Sequence, residues 1–514
     1  MERIVSWLAL CVAGIYASSC GYGNTSTLPS QLQVCEFKKE HPIPDIWTTS
    51  AGRPIDLRET ITVNSELFSK EVLLDTMLQF DRERVPERLV HAKGTAALGY
   101  FEVTHDVSHY TKADVFNGVG KKTPLIVRFS TSTQNLGGPD VSRELKGFAS
   151  KFYTSEGNLD LLCLQTPVYL YRDPLFFNSL VHAFKRNPAT NLFDTTVMWD
   201  FMTKRPTALH TFMWTQSDFG VPRSYRYMDA FPIHVYEINN KKGDIFYVRF
   251  NFRTEQGLQS LTSEQLATAR QDIDYYNRDL YKSIANHTYP SWRLEMDVMT
   301  LENIKNLNYD PFDVSRQWEN GTYYTVQIGR VVLNKNPDNY FKTAELSAFN
   351  PGSLVPGIPG PVDFLFKGRR VFYRDTQNYR VGKNHNKVKV NKPLYAKTYT
   401  RDGRPPVLEN MRDAPNYYPN SFNGPQPIVD PSLPSRRLVV FESNAVDLGP
   451  PANFYNHVLT NDAQRQRLAN ALAQSLSTTI EPIRGRALTL LSLVDKDLIR
   501  RVRAALTAQS AVSN

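Results

Sequence analysis

One stretch of the sequence places a tyrosine between two arginines at helical spacing. Arg369 comes four residues before Tyr373 and Arg380 seven residues after it, with Gly368 and Gly382 flanking the stretch. Separations of four, seven and eleven are close to whole helical turns, so the three side chains share one face if the stretch is helical. Nearby positive charge favours an ionised phenol, which is a hard ligand suited to ferric iron. On spacing alone, a solvent-exposed basic helix is the stronger alternative.

Strands that could support such a site are predicted between about 95 and 335. Residues 123–130 alternate, with Leu125, Val127 and Phe129 on the face opposite Arg128 and Ser130, and a period of two is typical of a strand. Further strands are predicted at 244–252 and 324–333, and a helix at 263–276. The stretch from about 336 to 450 is rich in Pro, Gly and Asn, which predicts a long loop. The last 60 residues are predicted to be helical, with leucines recurring every four residues at 468, 472 and 476.

The N-terminus has the charged, apolar and small-residue parts of a secretory signal peptide, here residues 1–19. The apolar run from 4 to 16 is too short to span a bilayer, which takes roughly 20 residues. We therefore expect a secreted protein without a membrane anchor. The alternatives are a buried N-terminal helix and a bacterial lipid-attachment site at Cys20, which the preceding residues fit poorly. Cys20 and Cys35 could pair in an oxidising compartment, and Asn24, Asn286 and Asn320 are potential glycosylation sites.

The charged residues give no sign of a nucleic-acid partner. The chain has 60 Lys and Arg against 51 Asp and Glu, a net charge of +9, and no run of five basic residues. Because nucleic-acid binding usually needs a clustered basic stripe, we do not expect it.

A second stretch, 80–94, reads FDRERVPERLVHAKG and resembles the distal-side signature of haem catalases. The stretch that begins at Gly368 resembles the proximal signature of the same family. Matches continue in order over roughly 75 to 425: GYFEVTHD from 99, KKTP from 121, RFST from 128, GFA from 147, KFY from 151, RDP from 172, KRNP from 185, YPSW from 289 and NYYPNSF from 416.

The resemblance implies the residues that perform the chemistry. His91 is implied to be the distal histidine, which takes a proton from peroxide and returns it to the leaving oxygen. Ser130 is implied to orient His91. Tyr373 is implied to be the axial iron ligand, with Arg380 holding its phenolate ionised.

The resemblance also implies how haem b is held. Guanidinium groups pair well with carboxylates, and Arg88, Arg128 and Arg369 are implied to bind the haem propionates. Val90 and Phe177 are implied to pack on the porphyrin.

The distal side departs from the family pattern. The family's distal asparagine is Leu164 here, with Gln165 beside it, and leucine cannot donate a hydrogen bond to peroxide. Gln165 could substitute only if the loop shifts by one residue. An apolar valine of the family's access channel is Ser132, the acidic channel residue is Glu144, and family phenylalanines are Tyr169 and Leu170.

Small-subunit members of the family often bind NADPH, and this chain keeps part of that site. Positions 210, 217 and 318 match as His, Ser and Trp, but a family arginine is Phe219, a lysine is Arg249 and a histidine is Asn320. We therefore do not expect tight NADPH binding.

The expected fold is α+β, with an antiparallel β-barrel that holds haem. We expect a signal peptide at 1–19, an N-terminal arm at 20–80, the β-barrel haem domain at 81–335, a wrapping loop with the proximal ligand helix at 336–450 and a C-terminal helical region at 451–514. The expected function is decomposition of hydrogen peroxide to water and oxygen by a homotetramer. The alternatives are a haem peroxidase that uses organic reductants and a catalytically weakened haem-binding paralogue.

Overall fold

Nine strands form one curled antiparallel sheet in this computed structural model. The structure describes residues 29–60, 71–193, 195–404, 415–432, 454–477 and 481–512, together with 452 and 479. The strands are β1 (Gly94–Val103), β2 (Lys122–Thr131), β3 (Lys146–Thr154), β4 (Gly157–Leu164), β5 (Tyr236–Asn239), β6 (Ile245–Thr254), β7 (Ser291–Met299), β8 (Tyr324–Lys335) and β9 (Gly360–Pro361). Their order in the sheet is β4-β3-β2-β1-β8-β7-β6-β5-β9.

A short segment before β5 joins the two sides of the sheet. Leu164 and Phe231 exchange backbone hydrogen bonds of 3.0 and 2.7 Å, and Ala230 and Phe252 exchange bonds of 2.9 and 2.8 Å. The segment thereby bridges β4 to β6, and the expected α+β fold with an antiparallel barrel is confirmed.

Both faces of β2 are buried, and each faces a different environment. Leu125, Val127 and Phe129 pack into the main hydrophobic core with aromatic residues of β3, β6 and β7. Arg128 and Ser130 point the other way, where they line a cavity outside the barrel. The alternation seen in the sequence therefore separates a structural face from a polar one.

The helices of the first compact unit, residues 1–433, lie before, between and after the strands. They are α1 (Pro29–Glu40), α2 (Glu71–Phe80), α3 (Phe177–Phe184), α4 (Thr195–Lys204), α5 (Leu209–Gln216), α6 (Ser263–Ala269), α7 (Tyr275–Ala285), α8 (Leu301–Lys305) and α9 (Phe364–Arg380). The single helix expected at 263–276 is two helices, because the chain leaves helical geometry after Ala269 and a new helix starts at Tyr275. The buried carboxylate of Asp140 accepts hydrogen bonds from two N–H groups at that start, those of Tyr276 and Asn277.

The second compact unit, residues 434–514, contains α10 (Asp462–Ser477), α11 (Ile483–Val494) and α12 (Lys496–Val512). Asn461 caps α10 by accepting a hydrogen bond from the N–H of Gln464 at 2.9 Å. The expected apolar stripes meet in one small core, in which Leu498 and Val502 are buried. No helix among the described residues of the chain is long and apolar enough to span a membrane.

Candidate active site

A cavity of about 490 Å³ lies against the outer face of β2, β3 and β4. Helix α9 supplies the opposite wall. Of the ten site positions named from the sequence, the structure brings nine together at this cavity and leaves Arg380 out of its lining. The nine are Arg88, Val90, His91, Arg128, Ser130, Leu164, Phe177, Arg369 and Tyr373. Much of the remaining lining is aliphatic or aromatic, which suits a flat apolar molecule.

His91 is held in a strained conformation that fixes its ring. Its φ is 63°, a left-handed value that is uncommon outside glycine and is often found at functional sites. Its N–H donates to the carbonyl of Ser132 at 3.0 Å, and its Nδ1 lies 2.9 Å from Oγ of Ser130. A Cβ at Gly147 would lie 2.5 Å from that Oγ and 2.9 Å from Nδ1, so glycine alone leaves room for the pair.

The environment of His91 keeps its imidazole neutral. Burial first, and then the positive charge of Arg128, lower the pKa of His91 to about 3. With Nδ1 directed at Ser130, the second ring nitrogen is left for the cavity. A neutral imidazole in this position can accept a proton there and must soon pass it on, since the charged form is disfavoured.

Tyr373 lies on α9, and the start of this helix is fixed by a cap. The Asp363 carboxylate accepts a hydrogen bond of 2.9 Å from the N–H of Phe366. Further along, Gly368 packs so closely that a Cβ there would lie 2.3 Å from Pro174. These contacts set the register in which the Tyr373 side chain reaches the cavity.

Arg369, and not Arg380, is the arginine beside the phenol. Nη2 of Arg369 donates to Oη of Tyr373 at 3.3 Å. Arg380 donates instead to the carbonyls of Glu345 and Ser347 at 2.7 and 3.0 Å. Arg380 is therefore not placed to hold the phenolate ionised, as was expected, because one turn separates Arg369 from Tyr373 whereas Arg380 is about 10 Å further along the helix. The propionate role expected for Arg369 stays a prediction.

Next to the cavity, three buried arginines lie in the field of one buried carboxylate, and two of them pair with it. Among the described residues of this cluster, Arg88, Arg128 and Arg380 are the cations, and Glu345 is the anion. Glu345 Oε1 lies 3.5 Å from Arg88 and 3.2 Å from Arg380. Burial first, and then the charges of Arg128 and Arg380, lower the pKa of Arg88.

This arginine cluster is short of negative charge. Nε of Arg128 and Nε of Arg380 are buried without a hydrogen-bond partner, and so is Oε2 of Glu345. Three positive charges against one negative charge leave an excess of two. Burying uncompensated charge is costly, so the cluster fits a ligand that brings two carboxylates.

Two further residues extend the site behind Arg369, and the sequence reasoning missed both. Nη1 of Arg369 donates to Nε2 of His234 at 2.6 Å, and Nδ1 of His234 lies 2.9 Å from the Asp363 carboxylate. Burial lowers the pKa of His234, so a neutral ring with its proton on Nδ1 satisfies both partners. No spacing in the sequence links these residues, since 129 positions separate His234 from Asp363.

Neither Leu164 nor Gln165 supplies an amide donor to the distal wall. The backbone of Leu164 is fixed by its hydrogen bonds to Phe231, and its side chain lines the cavity. Gln165 turns toward the neighbouring strand, where it accepts from the N–H of Lys146 and donates to the carbonyl of Glu144 at 3.1 Å. Gln165 therefore does not substitute for the missing asparagine.

Two of the channel residues that were compared with the family pattern, Ser132 and Glu144, are hydrogen-bonded to each other. The Glu144 carboxylate accepts hydrogen bonds from the hydroxyls of Ser132 at 3.0 Å and Thr133 at 2.5 Å, and also from Ser142. Burial raises the pKa of Glu144, but the charge of Lys146 and these donors outweigh it and lower the pKa overall. The Ser132 hydroxyl thus donates its hydrogen bond to an ionised carboxylate.

Comparison with known proteins gives one consistent match. A catalase family model matches residues 48–424, and a model described as catalase-related immune-responsive matches residues 447–506. The catalase of Mus musculus is 39% identical over 497 residues, which cover 94% of each protein. The catalase of Danio rerio is 41% identical over 495 residues, again with 94% of each protein covered.

Solved structures agree with the sequence comparison. A fungal catalase superposes with a TM-score of 0.73 and 33% identity, over 90% of this chain and 96% of the other. Catalase A from Saccharomyces cerevisiae gives a TM-score of 0.73 with 32% identity, over 90% of this chain and 99% of the other.

Proposed function

The chain belongs to the catalase family, and we propose that it is a secreted member that carries haem b and has a weakened distal pocket. As a catalase, it decomposes hydrogen peroxide to water and oxygen in a haem-dependent reaction. The observation that carries this function is the single cavity that His91 shares with Tyr373 and Arg369. Oxygen release without an added organic reductant is the experiment that tests it.

The residues of the cavity fit iron protoporphyrin IX. Tyr373 would bind the iron, and Val90 and Phe177 would pack on the ring. The excess of two positive charges among Arg88, Arg128, Arg380 and Glu345 matches the two propionates of haem b. When bound, haem supplies the two-electron redox chemistry by which one peroxide molecule is reduced and a second is oxidised.

His91 would move the proton of peroxide between its two oxygen atoms. Its cavity-facing ring nitrogen would accept the proton from one oxygen and return it to the other, while Ser130 holds Nδ1. The low pKa of His91, about 3, favours rapid return of that proton. The Leu164 side chain adds no hydrogen bond to this process, so we propose that the reaction is slower than in relatives with asparagine at this position.

The revised roles of the two arginines predict different effects on haem retention. Arg369→Gln removes a hydrogen bond to the axial ligand and is expected to speed haem loss by about 10- to 100-fold. The same loss is expected with haem dimethyl ester, because the hydrogen bond does not depend on propionates. Arg380→Gln is the matched control, and it is expected to weaken retention of haem but not of the ester. The roles are wrong if Arg380→Gln is the variant that affects the ester.

A second cavity, of about 820 Å³, supports the view that NADPH does not bind tightly. Its cationic walls already have partners: Arg249 donates to the carbonyls of Arg316 and Asp313 at 2.8 and 3.2 Å, and Arg253 pairs with Asp229 and Glu295. The ring of Phe219, at the family's arginine position, lies 4.7 Å from Trp214 in the cavity wall.

We predict that NADPH binds with a Kd weaker than about 100 μM, which corresponds to less than roughly 5.5 kcal/mol of binding free energy. Fluorescence titration of the haem-loaded protein with NADPH measures this directly. Phe219→Arg supplies a free guanidinium at the rim and is expected to tighten binding. Micromolar binding by the unaltered protein would contradict this prediction, because it would show that the existing partners of Arg249 and Arg253 do not prevent NADPH binding.

Secretion is supported by one cysteine near the N-terminus and by two exposed asparagines between strands. The signal peptide predicted at 1–19 lies outside the described residues. Cys35 is disulfide-bonded, which suits an oxidising compartment, although Cys20 is likewise outside the described residues and its pairing stays a prediction. Asn286 and Asn320 are exposed and so accessible to glycosylation. Detection of the protein only inside cells would overturn this proposal.

A homotetramer is supported by large apolar side chains that the described chain leaves exposed. On the outer face of α9, Phe364, Val371 and Tyr379 are 61%, 64% and 77% exposed. In the wrapping loop, Ile428 and Val429 are 84% and 91% exposed. Such surface is normally covered in an assembly, and contacts between copies of the chain would cover it.

A further inference from the structure

Two tyrosines lie side by side in the wall of the haem cavity. Tyr169 and Tyr171 follow β4, and both line the cavity that contains His91 and Tyr373. Their hydroxyl oxygens are 3.1 Å apart, and their rings meet edge to face at 4.8 Å. The N–H of Tyr169 donates to the carbonyl of Val314 at 2.8 Å, which anchors the segment. The pair has no role in the peroxide chemistry described above.

The surroundings keep both phenols neutral. Burial raises the pKa of Tyr169 and of Tyr171. Arg369 is a cation close to both phenols, and its charge opposes any positive charge on a ring. If either ring loses an electron, its hydroxyl proton must therefore leave at the same time.

The hydrogen bond between the two hydroxyls makes that loss feasible. One hydroxyl donates to the other, and the accepting hydroxyl keeps its own proton free to leave toward the cavity. Once it has lost that proton, its oxygen still receives the hydrogen bond of its partner. A phenoxyl oxygen formed there would be stabilised by a donor that is already in place.

We propose that the Tyr169–Tyr171 pair is a one-electron donor to the peroxide-oxidised cofactor and gives the protein a peroxidase activity toward small phenols. The O–H bond of one tyrosine breaks, its electron reduces the cofactor, and its proton goes to the peroxide-derived oxygen on its way to water. The other tyrosine keeps its proton and donates to the phenoxyl oxygen. A phenolic reductant then returns one electron and one proton, which restores the tyrosine.

Freeze-quench electron paramagnetic resonance of the haem-loaded protein tests the proposal. Peracetic acid is the oxidant, because it accepts two electrons and its product, acetic acid, does not return them. The expected result is a tyrosyl radical signal that narrows when the protein contains ring-deuterated tyrosine. The double variant Tyr169→Phe/Tyr171→Phe is expected to lose this signal and to oxidise a phenolic dye more slowly. Removing both hydroxyls leaves no unpaired polar group behind, so the haem absorption band is expected to persist, and rates are compared at equal haem content.

Tyr236→Phe is the matched control. Tyr236 is buried and also lies in the field of Arg369, but it is not among the described residues that line the cavity. This variant is expected to keep the radical signal, and a full-strength signal in the double variant would overturn the proposal. The inference rests on the haem assignment, and the two can fail separately. Failure of the haem assignment would appear as a protein without a haem absorption band. Failure of the tyrosine proposal would appear as a protein that has the band but whose radical signal does not depend on Tyr169 and Tyr171.

Discussion

His91→Ala is expected to slow oxygen release from hydrogen peroxide by on the order of 10³, which is within the range for loss of a positioned acid–base group. The strained backbone at φ 63° and the contact with Ser130 fix the ring in the cavity, and alanine leaves no group there to carry the proton. An oxygen electrode measures the effect, with rates compared at equal haem content. The haem absorption band is expected to stay, because the iron ligand Tyr373 is unchanged.

His385→Ala is the matched control for this loss. His385 is half-buried just after the end of α9, where its Nδ1 lies 3.1 Å from the carbonyl of Gly382. It is not among the described residues that line the cavity. Its loss is expected to leave the rate within about twofold, as is usual for a substitution away from the reacting groups. A similarly small effect for His91→Ala would remove His91 from the chemistry.

Leu164→Asn is expected to have the second-largest effect, an increase in the rate of oxygen release by on the order of 10². This is the low end of what one preorganised donor contributes in comparable sites. Because the backbone of residue 164 is fixed by two hydrogen bonds to Phe231, an amide there would enter the cavity along the path of the present leucine. The measurement is the rate at saturating peroxide for the haem-loaded variant.

Leu164→Ala separates a hydrogen-bond effect from an effect of size. Alanine opens the same space without adding a donor, so it is expected to bring no comparable gain. Equal rates for the alanine and asparagine variants would show that access, and not hydrogen bonding, limits the reaction. An asparagine variant no faster than the unaltered protein would contradict the view of position 164 as the weak point.

The helix that carries Tyr373 shows how far the sequence could predict the site. The spacing of Arg369, Tyr373 and Arg380 predicted that they share one helix, which is observed. The resemblance named nine residues that line the cavity. The spacing could not show which arginine reaches the phenol, because both arginines occupy the same face of the helix. The answer depends on Glu345, which comes from the π-helical turn Phe341–Glu345 and pairs with Arg380.

Contacts between residues that only the tertiary structure brings together could not be predicted from the sequence. His234 and Asp363 meet Arg369 because the segment before β5 and the cap of α9 lie together in the fold. The backbone marks this place in the structure, although the sequence does not. Ile233, next to His234, has a φ of 62°, which is unusual for a β-branched residue. The direction of the Gln165 side chain likewise depended on strand pairing with Lys146.

The strands were predictable because alternation separates the apolar face of a strand, which packs into the core, from its other face. Residues 123–130, 244–252 and 324–333 all lie largely within observed strands. The break between α6 and α7 was not predictable in the same way, since it depends on Asp140, far away in sequence, which binds the start of α7.

The most direct test of the central claim is the oxygen yield of the haem-loaded protein given hydrogen peroxide and no other substrate. A haem catalase built around His91 and Tyr373 is expected to release one molecule of oxygen for every two of peroxide consumed, and Tyr373→Phe is expected to lose this activity together with its haem. Peroxide consumption that requires an added phenol and releases no oxygen would contradict the claim.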